Sequence, residues 1–291
     1  MIRTAAFIAS LLWLSPALAA PVPIVAAESV YADIARQIAG PVAEVGAILT
    51  NPYQDPHAFE PSASTARRVA AARIVIRNGL GYDAWMARLL AANPEKGRTV
   101  IVVAALLHAN PHANPHLWYD PRAAPLLARA VAGALTAADP AARAGIAVRE
   151  QIFLTSLKPI AAGIATLRAR YAGTEIAATE PVFDDMAHAI GLKMLEQGFA
   201  LAVMNGAEPS IREVAGFERN LKSRRIKVLI VNRQASDPSV DRLLTLAQKA
   251  GVPVLAVTET KPPTMSYQQW MLSELAALET ALAQKPPREP E

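Results

Sequence analysis

The sequence feature that most constrains the fold is an alternation of short apolar segments with helix-like segments of about ten residues, which occurs twice along the chain. Chains of this kind form βαβ units, in which parallel strands are joined by right-handed crossovers. The predicted strands are residues 22–26, 42–49, 74–78 and 99–103 in the first series, and residues 175–178, 200–204, 227–231 and 254–257 in the second. We therefore predict an α/β protein of two lobes, each a mainly parallel sheet flanked by helices.

Helical patterns fill the intervals between these strands. Each carries apolar residues at the three- and four-residue spacing of an amphipathic helix. The predicted helices are residues 30–39, 62–72, 83–92, 121–138, 181–190, 210–224, 239–250 and 266–282. Ser29 precedes the first helix and is its predicted N-cap.

One longer helix separates the two series, because apolar positions recur at helical spacing over residues 140–171, with a predicted kink at Pro159. Globular domains average about 11–12 residues per helix, so we interpret this helix as a link between lobes. The predicted organisation is an N-terminal lobe (20–138), a linking helix (139–172), a C-terminal lobe (173–285) and a disordered tail (286–291). A ligand site is expected in the cleft between the lobes.

The first nineteen residues have the composition of a secretory signal peptide. Arg3 supplies the positive charge, residues 5–14 are apolar but too few to span a bilayer, and residues 17–19 (ALA) form a small-residue cleavage site. We predict that residues 1–19 are removed and that the mature chain is a periplasmic protein without membrane insertion. The chain has no cysteine, so it has no lipobox cysteine.

Composition excludes several classes of function. Without cysteine the chain can form no disulfide, thiolate nucleophile or cysteine-ligated zinc site. Any metal site must therefore use His, Asp and Glu. The net charge of +4 is spread over isolated Lys and Arg residues, which argues against nucleic-acid binding.

Two Pro-His motifs follow predicted strands of the first lobe. His57 lies in DPHAFEP (residues 55–61), and His116 lies in NPHLWYDP (residues 114–121). The prolines fix φ and stiffen both loops, so each loop can aim one imidazole. A lone loop histidine is usually solvated, but two such motifs favour a ligand role.

Two glutamates follow strands of the second lobe, Glu180 after residues 175–178 and Glu259 after residues 254–257. The carboxyl ends of open α/β sheets are where ligands bind, so all four side chains can converge in the cleft. Two imidazoles and two carboxylates suit a divalent first-row metal such as Zn(II) or Mn(II). Spacing alone does not single out these four residues.

These motifs resemble the zinc and manganese periplasmic binding proteins of ABC importers, the cluster A-I receptors. The matching segments are DPHAFEP (55–61), NGLG (78–81) with Asp83, Trp85 and Met86, NPHLWYDP (114–121), the long helix, Thr179-Glu180, and Thr258-Glu259 with Tyr267, Trp270 and Met271. The resemblance implies that His57 and His116 are metal ligands from the first lobe. It implies Glu180 as the third ligand and Glu259 as the fourth, where relatives usually have Asp.

The resemblance also implies a receptor, not an enzyme, that captures Zn or Mn and delivers it to an ABC permease in the inner membrane. A monomer is expected. Glu180 resembles the manganese-type ligand set, whereas His108 and His112 resemble a short remnant of the histidine-rich loop of zinc importers. The metal is therefore left open.

Other interpretations of these residues stay open. Glu180 could cap the following helix, and Glu259 could be an exposed loop acid. Asp184 and Asp185 are reserve ligands if Glu180 is not one, and His188 is interpreted as a packed or surface residue.

His108 and His112 are either plain loop residues or a pair that captures metal for the cleft. Asn232 and Gln234 end a strand and are predicted to orient ligands.

Two other functions are considered. A secreted metallohydrolase needs an open coordination position and a general base, and the chain has no His-Glu-x-x-His helix. The other is a receptor for a metal chelate or siderophore.

Overall fold

The computed structural model describes residues 20–54, 56–234 and 238–284. The predicted signal peptide, Asp55 and the predicted tail lie outside these residues. Those assignments stay predictions.

Two parallel sheets of four strands form the centres of two lobes. The first lobe contains β1 (Val22–Glu28), α1 (Ser29–Ala39), β2 (Ala43–Leu49), α2 (Ala63–Ala71), β3 (Ile74–Arg77), α3 (Ala84–Ala92), β4 (Thr99–Val102), α4 (Val103–Leu106) and α5 (Ala123–Ala138). Helices α6 (Arg143–Ser156) and α7 (Lys158–Tyr171) lead to the second lobe. That lobe contains β5 (Glu175–Ala178), α8 (Asp184–Ile190), β6 (Lys193–Leu195), α9 (Gln197–Met204), α10 (Ile211–Lys222), β7 (Leu229–Asn232), α11 (Pro238–Ala250), β8 (Val254–Val257) and α12 (Tyr267–Ala283).

The two sheets share one topology, with strand orders β2-β1-β3-β4 and β6-β5-β7-β8 and all neighbours parallel. The direction of the crossovers reverses between β1 and β3, and again between β5 and β7. Open α/β sheets bind ligands at such a switch point, outside the carboxyl ends of the strands. The predicted two-lobed α/β fold is confirmed, and its topology places a possible site at the end of each sheet.

The central strands are apolar because helices cover both faces of each sheet. In the first lobe Ile24 pairs with Ile74 and Val25 pairs with Val75, and all four side chains are buried. An unbroken apolar run is typical of parallel strands buried on both sides, which is why these strands could be predicted from sequence.

The predicted strand over residues 200–204 is wrong, because this segment belongs to helix α9. The strand at this point is β6, which comes immediately before α9 and pairs with β5. Phe199, Ala200 and Val203 are buried while Leu201 is 47% exposed, as expected for one face of a helix. A short apolar run has no periodicity that separates strand from helix.

Ser29 is also not the N-cap of α1. The chain passes from β1 into α1 without a loop, so Glu28, the last residue of β1, occupies the N-cap position. No side chain caps this helix.

The long helix is confirmed, with a break near the predicted kink. Residues 140–171 form 32 helical residues, divided at Leu157 into α6 and α7. Pro159 has no N–H to donate to the preceding turn, which accounts for the break.

One stripe of this helix is buried at every seventh residue, namely Ile146, Phe153, Ile160 and Leu167. Helix α6 packs on α1 and α5 of the first lobe, and α7 packs on α8 and α12 of the second. By length and hydropathy the helix would also suit a membrane span. Its packing on both lobes instead matches a linking helix.

Helix α12 ties the lobes to this link. Gln268 of α12 and Gln37 of α1 exchange two hydrogen bonds of 2.8 and 3.0 Å. Gln268 also donates to the Ser156 hydroxyl at the end of α6, and the Asp33 carboxylate accepts the backbone N–H of Tyr267. These bonds join both lobes and the linking helix at one point.

Candidate metal centre

Three of the four predicted ligand side chains come together where the lobes meet. One donor atom from each of His57, His116 and Glu259 lies within 4.8 Å of those of the other two. Nε2 of His57 and Nε2 of His116 each lie 3.3 Å from Oε2 of Glu259. His116 and Glu259 are buried, whereas the His57 side chain is 32% exposed, so the cluster opens to solvent on the His57 side.

The hydrogen bonds around His116 fix its tautomer. Oδ1 of Asn114 lies 2.7 Å from Nδ1 of His116, and Nδ2 of Asn114 donates to the carbonyl of Pro181. Because Oδ1 of Asn114 is thereby the acceptor, Nδ1 of His116 carries the proton and Nε2 presents its lone pair. This Nε2 has no hydrogen-bond partner among the described residues. When His116 is neutral, a lone pair and a carboxylate oxygen face each other in a buried site, an arrangement that favours a proton or a metal cation between them.

Glu259 is held on every side by donors. Oε2 accepts a hydrogen bond of 2.9 Å from the Tyr82 hydroxyl, and Oε1 accepts one of 2.7 Å from Nδ2 of Asn232. Burial by itself would raise the pKa of Glu259, but hydrogen bonds from His116 and His57 in their protonated forms, together with their charge, outweigh burial and hold this pKa well below its usual range. Glu259 is only 3% exposed, so the interpretation as an exposed loop acid is wrong.

Glu180 is buried close by but lies outside the three-residue cluster. Its Oε2 accepts a hydrogen bond from Nδ2 of Asn232, the same amide nitrogen that donates to Glu259. Burial raises the pKa of Glu180, the Asn232 bond lowers it, and the Glu259 charge raises it again, with a net increase. Glu180 occupies the N-cap position of a short 3-10 turn, but its side chain makes no capping hydrogen bond. The interpretation of Glu180 as a helix cap is therefore not supported.

The other predicted candidates do not join the cluster. Asp184 and Asp185 lie in the first turn of α8, and His188 lies in its last turn. His108 and His112 are exposed in the loop after α4. The ligand cluster within the described residues contains none of them.

Tyr82 belongs to the site but is not among the residues predicted from the sequence. Besides its bond to Glu259, its ring meets the rings of His57 and Trp118 edge-on, at centroid distances of 5.1 and 5.0 Å. Burial and the charge of Glu259 raise the pKa of the Tyr82 hydroxyl, so it stays protonated and donates.

A sequence signal for Tyr82 exists in the turn that precedes it. Residues 79–81 (GLG) all have positive φ, at +92°, +53° and +83°, which brings the chain sharply round after β3. A Cβ at Gly79 would lie 2.9 Å from that of Ala104, so only glycine fits there. Because β3 ends at the switch point of its sheet, this turn could have marked the first aromatic residue after it as a candidate for the site.

Hydrogen bonds cross the cleft beside the cluster. Nε2 of Gln234 donates to the carbonyl of Gln54 over 2.8 Å, and the Tyr119 hydroxyl donates to the carbonyl of Thr258 over 2.9 Å. The lobes are thus in contact around the candidate ligands. Two α/β lobes on a long helix, with imidazoles and carboxylates converging between them, define a binding protein that holds a small cation in its cleft.

Comparison with known proteins agrees with this class. Residues 24–281 match the protein family described as "Zinc-uptake complex component A periplasmic" (ZnuA). The iron-binding protein YfeA of Yersinia pestis is 24% identical over 255 residues, covering 84% of this chain and 81% of its own. The periplasmic zinc-binding protein TroA of Treponema pallidum superposes with a TM-score of 0.77 at 17% identity, covering 91% of this chain and 100% of its own. A manganese-bound periplasmic metal-binding protein of Candidatus Liberibacter asiaticus superposes with a TM-score of 0.71 at 19% identity, covering 90% of this chain and 100% of its own.

The chain belongs to the periplasmic ZnuA family of zinc-uptake components. It is a metal-binding receptor of an ABC importer.

The bond between Asn114 and His116 gives a first prediction. Without the Asn114 acceptor the His116 ring can take the wrong tautomer, so we expect Asn114→Ala to weaken zinc binding about 10–100-fold, as for other residues that orient metal ligands. Competition titration against a chelating dye measures the change. Asn93→Ala is a matched control, because its amide donates only to the Leu89 carbonyl at the exposed end of α3. Equal zinc affinity in both variants would contradict the prediction.

Proposed function

We propose that His57, His116 and Glu259 bind a divalent transition metal between the lobes, with Glu180 as the fourth ligand. The observation that carries this proposal is the unpartnered Nε2 of His116 facing the ionised carboxylate of Glu259. Two acceptors in a buried site at this distance need a shared proton or a cation, and the donor set suits a metal.

The metal is Zn(II) or Mn(II). Imidazole with carboxylate suits zinc at four-coordinate sites, and a second carboxylate from Glu180 would suit manganese. The names of the relatives include zinc, manganese and iron binding, which supports a first-row divalent ion without choosing one.

Delivery to an ABC permease in the inner membrane completes the proposed role. A cleaved signal peptide at residues 1–19 would bring the chain to the periplasm as a monomer without membrane insertion. Lobes at residues 20–138 and 173–285, linked by residues 139–172, would close on the metal and release it. Binding and release require no chemical step, so we propose that the chain is not an enzyme.

The two alternative functions have less support. A metallohydrolase needs an open coordination position with water and a nearby base. Here Glu180, the proposed fourth ligand, would fill that coordination position of the metal. A chelate or siderophore receptor needs a wide cleft, whereas here ligand atoms from both lobes lie within 4.8 Å of one another.

Elemental analysis of protein purified from its native periplasm, followed by calorimetry with zinc and with manganese, tests this function. We expect one metal ion per chain, with affinity falling below about pH 6 as protons compete for the imidazoles. Absence of binding to either ion, or turnover of esters or peptides by metal-loaded protein, would overturn the proposal.

A further inference from the structure

Asn232 is a buried amide placed between the two acidic side chains of the site. It is the last residue of β7, at the switch point of the second sheet, and is 3% exposed. Its Nδ2 donates to Oε2 of Glu180 over 2.5 Å and to Oε1 of Glu259 over 2.7 Å. Both hydrogens of one amide nitrogen are therefore given to carboxylates.

The orientation of this amide is fixed by the chain beside it. Oδ1 of Asn232 accepts the backbone N–H of Gln234 over 3.0 Å. Oε1 of Gln234 in turn accepts the backbone N–H groups of Glu259 and Thr260, over 2.7 and 2.9 Å. A flipped Asn232 would place its oxygen against two carboxylates and lose the Gln234 bond, so only one orientation satisfies the network.

A neutral amide at this point has a particular consequence for the two acids. A lysine or arginine would neutralise them and compete with a bound cation, whereas the amide leaves their negative charge available. The amide also occupies Oε2 of Glu180, and Glu180 lies outside the cluster of His57, His116 and Glu259.

We propose that Asn232 is a positioning residue that holds Glu180 back from the three-residue cluster and thereby favours zinc over manganese. Zinc is commonly four-coordinate, and His57, His116 and Glu259 already supply three of its ligands, so zinc depends less on Glu180. Manganese prefers more oxygen ligands in octahedral geometry, so it gains more from Glu180. To use Oε2 of Glu180, a metal must first break the bond to Asn232. This inference rests on the proposed function.

Zinc and manganese affinities of Asn232→Ala, measured by competition calorimetry at one pH, test the inference. Loss of the bond to Glu259 affects both metals, whereas release of Glu180 benefits manganese more than zinc. We therefore expect the zinc-to-manganese affinity ratio to fall about tenfold, the scale of one hydrogen bond to a charged group. In a Glu180→Ala background the same substitution should leave the ratio unchanged.

Asn220→Ala is the matched control. In the same lobe, Nδ2 of Asn220 donates to a carboxylate oxygen of Glu196, away from the cluster. Its ratio should equal that of the wild type. Asn232→Asp is a second variant that retains the acceptor for Gln234 but cannot donate to the carboxylates, and its ratio should also fall.

An unchanged ratio in both Asn232 variants, or an equal fall in the Glu180→Ala background, would overturn the role of Asn232. If the wild-type protein binds neither ion, it is the proposed function that fails. The two failures are therefore distinguishable.

Discussion

Replacing His57 and His116 together by alanine is expected to remove zinc and manganese binding, with a loss of affinity of more than about 10,000-fold. Even residues that only orient metal ligands are each worth about 10–100-fold, so the loss of two direct ligands should exceed the product of two such effects. The side chain of Glu259 would lose both imidazole neighbours and would keep, among the described residues, its hydrogen bonds to Tyr82 and Asn232. Calorimetry with each metal measures the result.

The double variant His108→Ala with His112→Ala is the matched control, because it removes two imidazoles from an exposed loop outside the cluster. We expect its equilibrium affinity to equal that of the wild type. If these histidines capture metal for the cleft, the association rate falls while the affinity holds. Retained affinity in the His57 and His116 variant would refute the ligand assignment.

The two lobes and their link could be predicted because their signals are local. Central strands such as β1 and β3 are buried on both faces and read as continuous apolar runs. The linking helix repeats its apolar stripe over 32 residues, long enough for its period to be unmistakable. Helix α9 has only eight residues, and its apolar run fits strand and helix equally well.

The site could be predicted only in part, because its geometry depends on contacts between residues remote in sequence. The Pro-His motifs mark His57 and His116, since stiff loops after strands are visible in the sequence itself. The position of Glu180 is set by Asn232, 52 residues further along the chain, and no local pattern shows that bond.

Tyr82 also could not be assigned to the site from local sequence, because its partner is remote in the chain. Its hydroxyl reaches Glu259 across 177 residues of sequence and across the cleft. In sequence, a tyrosine after a turn is most simply a packed aromatic residue, and its polar partner comes from the other lobe.

A second large effect is expected at Glu274, a half-buried acid of α12, the helix that packs on β8. Trp270 donates its Nε1–H to Oε1 of Glu274 over 3.1 Å and packs on Tyr119, whose hydroxyl holds the Thr258 carbonyl. Burial raises the pKa of Glu274 from 4.5 to about 7, against the smaller lowering effects of the Trp270 bond and the Arg233 charge.

The sign of the pH dependence follows from proton binding. Between pH 4.5 and about pH 7 the folded chain keeps a proton on Glu274 that the unfolded chain releases, so the free energy of unfolding falls as pH rises through this window. By pH 8 the loss approaches about 3 kcal/mol. Glu274→Gln removes the charge and keeps an acceptor for Trp270, so it should be about 2–3 kcal/mol more stable than the wild type at pH 8 and equal to it below pH 4.5.

Urea unfolding of the metal-free protein at pH 4 and pH 8 measures this difference, and metal must be absent because ligand binding itself stabilises the folded state. Glu279→Gln is the control on the same helix. Glu279 forms a solvent-exposed ion pair with Arg170, and loss of such a pair should change the free energy of unfolding by no more than about 1 kcal/mol. A gain for Glu274→Gln that is equal at both pH values would show that packing, not the buried charge, is responsible. A gain confined to pH 8 would identify Glu274 as a half-buried acid that destabilises the apo protein where it ionises.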